Sequence, residues 1–105
     1  MANAQAARIS QKEKSDGLYK AILLLKDEDE CHRFFEDLCT VAELRSMEQR
    51  FDVAKLLREG MVYTDILERT GASSATISRV NRALLYGADG YRRVLDALEE
   101  GAAQE

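Results

Sequence analysis

The run Ser73-Ser74-Ala75-Thr76-Ile77-Ser78-Arg79-Val80-Asn81-Arg82 carries the groups whose types and spacing point to a chemistry. On a helix, Ser74, Ala75, Thr76, Ser78, Arg79 and Arg82 line a polar face. Short hydroxyls and a methyl group near the helix start can approach base edges, while the longer cations reach guanines or phosphates. That chemistry is recognition rather than bond making. His32 is the single histidine. The serines have no base and orienting partner in sequence context, and no glycine-rich phosphate loop is present, so the reading is not an enzyme. Cys31, His32 and Cys39 invite a metal reading. Tetrahedral zinc needs four ligands, however, and positions i, i+1 and i+8 of one helix cannot aim all three at one ion. No metal and no cofactor is expected.

The segment that positions these groups reads as a helix-turn-helix over about residues 62–85, the arrangement that delivers one helix to a DNA major groove. Thr64 to Thr70 forms a short helical run with Ile66 and Leu67 apolar, and Gly71 stands where a helix ends on a left-handed residue. Ser73 offers its hydroxyl to the free N–H groups of the next helix, whose buried stripe is Ile77, Val80 and Leu84 at i, i+3 and i+7. Two other readings stand beside DNA binding. One is an ordinary capped helix with surface arginines. The other is a helix-turn-helix used as a protein-interaction module on the transcription machinery, which an acidic chain would suit.

Elements outside the motif follow from the same rules. Proline is absent from the chain, and no sustained alternation of period two occurs, which predicts an all-α chain of short connections. A first helix is expected over Leu18 to Leu25, after Ser15-Asp16-Gly17. Asp27-Glu28-Asp29-Glu30 places negative charge at the start of a second, which runs to about Leu38; this fits a helix start better than a cation site. Thr40-Val41-Ala42-Glu43 reads as a capping box opening a long helix to about Glu59, closed by Gly60. Gly87 and Gly90 break the chain before a last amphipathic segment, Tyr91 to Leu98. The sequence thus divides into an N-terminal arm (1–15), a helical domain (16–98) and a frayed tail (99–105).

The chain has 105 residues, 46% of them hydrophobic and 32% charged, and a formal net charge of −4. Those values suit one soluble domain and weigh against indiscriminate coating of nucleic acid. The longest apolar run, Ala21 to Leu25, is too short to span a bilayer, and Met1 to Ser15 lacks the apolar centre of a secretion signal. A cytoplasmic protein with no membrane partner is expected. Cys31 and Cys39 would then stay reduced, and eight positions along a helix set their Cα atoms about 12 Å apart, too far for a disulfide. Charge is unevenly placed. Acids dominate from Lys26 to Glu48, whereas Arg79, Arg82, Arg92 and Arg93 meet only Asp89 between Ser73 and Arg93. Arg8, Lys12 and Lys14 would let the N-terminal arm add a mobile electrostatic contact. Apolar residues run around the axis of the first helix at Ala21-Ile22-Leu23-Leu24-Leu25. The second helix offers Phe34, Phe35, Leu38 and Cys39, and the third Leu44, Met47, Phe51, Val53, Ala54, Leu56 and Leu57. One small core cannot cover all of them, which predicts a homodimer.

With these parts in place, Leu18 to Leu98 resembles the tryptophan-repressor family, and within it the YerC/YecD-type branch. The likeness is carried by Phe34-Phe35-Glu36-Asp37-Leu38-Cys39-Thr40, Gln49-Arg50, Leu56-Leu57-Arg58 and Thr70 to Leu84. It implies six helices, an intertwined dimer, binding to double-stranded DNA through the helix-turn-helix and a repressor-like role. Ser74, Ala75, Thr76 and Ser78 match the family's groove-facing positions, and Tyr63 and Thr64 its backbone-contacting ones. Leu67 departs from the small residue many such motifs carry. Among the tryptophan-binding members the amino acid lies between two arginines. Arg79 matches the one on the recognition helix, Thr76 matches a threonine near the indole, and either Gln49 or Arg50 stands where the second arginine belongs. Val80 replaces a glycine whose slot its branched side chain would crowd, and Ala83 replaces a serine that holds the amine. The resemblance therefore implies that L-tryptophan is not the ligand, and it names no other effector.

Overall fold

The computed structural model describes residues 11–104, and every regular element among them is an α-helix. In chain order these are α1 (Gln11–Ile22), α2 (Glu28–Leu38), α3 (Val41–Arg58), α4 (Tyr63–Thr70), α5 (Ser74–Tyr86) and α6 (Gly90–Gln104). Six helices and an all-α fold agree with the sequence reading. No described helix is long and apolar enough to cross a membrane. The chain divides into two compact units, the first ending at Val41 and the second beginning at Ala42.

In the first unit, α1 differs from expectation at both ends. It starts at Gln11, inside the segment read as an arm, and stops at Ile22 rather than Leu25. Residues 1–10 of that arm, Arg8 included, lie outside the described residues. Gly17 costs a helix about 1 kcal/mol relative to alanine, too little to outweigh the good helix formers on either side of it. Leu24 and Leu25 instead donate to Ala21 and Ile22, both at 3.1 Å, so the chain tightens into a turn of i to i+3 bonds. Leu23 and Leu24 are left 83% and 75% exposed there. The start of α2 follows its sequence. Asp27 caps it by accepting from the Glu30 N–H, and the Glu30 carboxylate reaches back to the Lys26 N–H, each at 2.9 Å. Phe34 and Phe35 meet edge to face with ring centroids 5.4 Å apart. No residue of α2 is fully buried.

The second unit holds a real core. Val53 and Ala54 of α3, Ile66 of α4, Ala72 of the following turn, Ile77 and Val80 of α5 and Leu95 of α6 are all buried. Phe51, Leu56, Leu57, Met61, Leu84 and Tyr91 pack around them. Burying one such aliphatic side chain is worth about 1.5–3 kcal/mol, so this cluster carries much of what holds the four helices together. After α3 the chain turns through Gly60, whose N–H donates to Leu57 while that of Met61 donates to Leu56. Those two bonds satisfy the last carbonyls of the helix.

The last helix corrects the expected Tyr91 to Leu98 segment and its frayed tail: α6 runs from Gly90 to Gln104. Arg58, at the end of α3, holds the part of this helix around Asp96 and Glu99. Its guanidinium donates to both oxygens of Glu99 at 3.1 Å and also pairs with Asp96. The two carboxylates raise the Arg58 pKa, so the guanidinium stays charged throughout. A planar, two-pronged contact of this kind orders a stretch of α6 that sequence periodicity alone leaves without a buried anchor.

Candidate nucleic-acid interface

The turn between α4 and α5 is built from a few local bonds. Gly71 adopts φ +74°, a left-handed value in which a side chain would be strained, and its N–H donates to Leu67 at 2.9 Å. Thr70 closes the helix from the side: its hydroxyl donates to the Ile66 carbonyl at 2.7 Å and accepts from the Ala72 N–H at 3.1 Å. Ala72 is buried beneath the turn. Ser73 then caps α5, its oxygen accepting from the Thr76 N–H and its hydroxyl donating to Thr76 Oγ1, both at 3.1 Å. Leu67 is 42% exposed, so the large residue that departs from the common motif sits at the rim of the helix pair rather than wedged inside it.

From that cap the faces of α5 separate cleanly. Ile77 and Val80 point into the core, while Ser74, Ala75, Ser78, Arg79 and Arg82 are exposed together. Neither Arg79 nor Arg82 pairs with a carboxylate among the described residues. Tyr63 and Thr64 are exposed at the start of α4. Thr76 is only half-buried, and its hydroxyl is already engaged by Ser73. The freest short groups on this face are therefore Ser74, Ala75 and Ser78. An exposed helix start with uncompensated cations farther along is suited to a polyanion approached end-on.

The residues read as a small-molecule site are not all brought together. Val80 is 2% exposed and belongs to the core, whereas Arg79 and Ala83 lie on the exposed side of α5. Arg50 is half-buried and donates to Ser46 Oγ at 3.0 Å. Gln49 has a different partner, donating from Nε2 to the Thr70 carbonyl at 3.1 Å.

Beside the Arg58 contacts, two more interactions of this unit escaped sequence reasoning because they join different elements. One is that of Gln49, which spans from α3 to the turn. The other is that of Arg92, a residue that charge distribution assigns to a positive surface. Its Nε and Nη2 donate to the carbonyls of Leu84 and Leu85 at 3.2 and 3.3 Å, and Asp89 lies 3.7 Å from Nη1. A cation thus satisfies the C-terminal end of α5, where the helix dipole favours positive charge. At the same end Gly87 leaves room that a Cβ would take, since that atom would collide with the Ala83 carbonyl. A basic residue shortly after a helix is the one local hint of this role.

Comparison with known proteins agrees with this architecture. The model of the Trp repressor protein family matches residues 13–99. The chain is similar to the uncharacterized protein YerC of Bacillus subtilis (strain 168), with 55% identity over 85 residues, 81% of this chain and 82% of YerC. Among solved structures, a TrpR like protein from Eubacterium eligens ATCC 27750 superposes with a TM-score of 0.82 at 55% identity, covering 88% of this chain and 95% of that one. A Staphylococcus aureus structure gives a TM-score of 0.82 at 44% identity, covering 89% and 93%. A helix-turn-helix framed by a long α3 and a closing α6, matched over most of its length by these relatives, places the chain in the Trp repressor protein family, in its YerC-type branch.

Proposed function

We propose that the protein is a cytoplasmic, sequence-specific DNA-binding transcriptional regulator, a repressor, that works as a homodimer. The observation that carries this reading is the face of α5, where Ser74, Ala75, Ser78, Arg79 and Arg82 are exposed while Ile77 and Val80 anchor the opposite side. In the dimer two copies of α5 enter successive major grooves about 34 Å apart, with Ser74, Thr76 and Ser78 near base edges and Arg79 and Arg82 on guanines or phosphates. Tyr63 and Thr64 flank the groove at the sugar-phosphate backbone. Selection from a random duplex pool tests the proposal: a defined half-site motif with two-fold symmetry and a steep loss of affinity with salt is the expected result. If no duplex binds at low salt, the interaction-module reading replaces it.

L-tryptophan is not the effector in this proposal. Val80 fills core space, Ala83 has no hydroxyl to hold an amine, and the amide of Gln49 is already engaged by Thr70. Calorimetric titration with L-tryptophan is expected to give no heat of binding. Stoichiometric micromolar binding would overturn this part of the proposal.

A further inference from the structure

The carbonyl of Thr70 is the last of α4, and the left-handed Gly71 that follows takes the chain away before any helical N–H can reach it. It is Gln49 Nε2, from a residue twenty-one positions earlier, that donates to this oxygen. Gln49 stands one turn before Val53, whose side chain is wholly buried, so it leaves α3 on the face that packs into the core. The amide lies beside the turn: a Cβ on Gly71 would stand 4.0 Å from the same nitrogen, an ordinary contact distance. With the Thr70 hydroxyl bonded to Ile66 and Ala72, the polar groups of the turn on both sides of Gly71 are joined to α4 and to α3.

We infer that Gln49 is a positioning residue for DNA recognition, a latch from α3 that fixes the angle at which α5 leaves the turn. This rests on the DNA-binding function proposed for α5 and extends it to a residue that touches no base or phosphate. The latch works through one hydrogen bond to a half-buried acceptor, so removing it leaves that carbonyl unpaired and favours an opened turn. The first consequence is selectivity. Non-specific binding depends on charge, which Gln49 does not alter, whereas reading of base edges depends on the angle of α5.

The test uses the full-length chain, a duplex selected by it from a random pool, and an unrelated duplex of equal length. Gln49→Met keeps the length of the side chain without a donor, and Gln49→Glu keeps its shape with acceptors only. In both, amide exchange from Ala72 to Thr76 is expected to quicken by about tenfold while Val53 and Ala54 stay protected, which also shows that the fold survives. For the uncharged Gln49→Met variant, affinity for the selected duplex should fall by about tenfold, with unchanged affinity for the unrelated duplex and an unchanged salt slope; Gln49→Glu, which adds a negative charge, is read by exchange alone. Unaltered exchange at the turn, or unaltered selectivity, overturns the inference. An equal fall in both affinities also overturns it, because Gln49 would then touch the DNA itself. Should the wild-type chain select no duplex, the DNA-binding reading fails, and the exchange data alone still decide whether Gln49 latches the turn.

Discussion

Ser73 joins two tasks in a single hydroxyl, ending the turn and standing at the edge of the proposed groove-facing surface. Its oxygen accepts from the Thr76 N–H while its proton goes to Thr76 Oγ1. Ser73→Ala should therefore cost about 1 kcal/mol, the usual worth of an N-cap, as read by denaturant unfolding. Ser73→Asp separates the tasks. A carboxylate caps as well as serine and suits the helix N-terminus, so stability should stay within about 0.5 kcal/mol of wild type. The new charge faces phosphate, however, and affinity for a selected duplex should drop; if it does not, this end of α5 lies away from the DNA. Gly71 has only a backbone task. At φ +74°, Gly71→Ala should lower stability by about 1–2 kcal/mol in the same unfolding experiment. Both positions are legible from sequence because the bonds that define them close within four residues.

At the scale of the element, the turn before α5 and the end of α5 each carry a bond from a neighbouring helix: Gln49 of α3 donates to the last carbonyl of α4, and Arg92 of α6 donates to the last carbonyls of α5. Counting charges treats Arg79, Arg82 and Arg92 alike; geometry separates them, since Arg92 spends its donors on Leu84 and Leu85. Arg92→Met keeps the stem and removes the donors. With that side chain about half exposed, stability should fall by less than about 1 kcal/mol and the salt slope of DNA binding should not change. Arg79→Ala combined with Arg82→Ala should instead lower the slope by about two, one for each phosphate that is no longer neutralised, with little effect on stability. An equal fall in slope for Arg92→Met would put that residue on the DNA. Elements show the same division between local and distant causes. Asp27, Gly60, Gly71 and Ser73 mark helix ends in the sequence because caps are local. The early start of α1 is hidden by Gly17, a weak breaker amid strong helix formers. The hold on α6 around Asp96 and Glu99 is hidden because its anchor, Arg58, lies far back in the chain.

For the whole molecule, the decisive quantity is apolar surface that one chain leaves uncovered. Leu23, Leu24 and Leu38 of the first unit are at least half exposed, no residue of α2 is fully buried, and in the second unit Val62 and Tyr86 are 60% and 82% exposed. Side chains of this kind scattered singly are ordinary, but several large ones per unit in a chain of 105 residues are the surface that the proposed homodimer would cover. Apolar patterning makes this excess visible in the sequence; which of the leucines end in a core is not visible, because Leu23 and Leu24 leave α1 through a turn that periodicity does not foresee. Sedimentation equilibrium should then give a mass near twice 11.8 kDa. The melting temperature should rise with protein concentration, since association stabilises whatever state it selects. Leu23→Glu together with Leu24→Glu places two charges on the most exposed of these side chains without touching the core of the second unit. That variant should shift the equilibrium toward monomer and weaken binding to a symmetric duplex far more than to a single half-site, because only the paired molecule presents two copies of α5. A wild-type chain that stays monomeric at concentrations saturating such a duplex would sink the dimer, and with it the expectation of a two-fold operator.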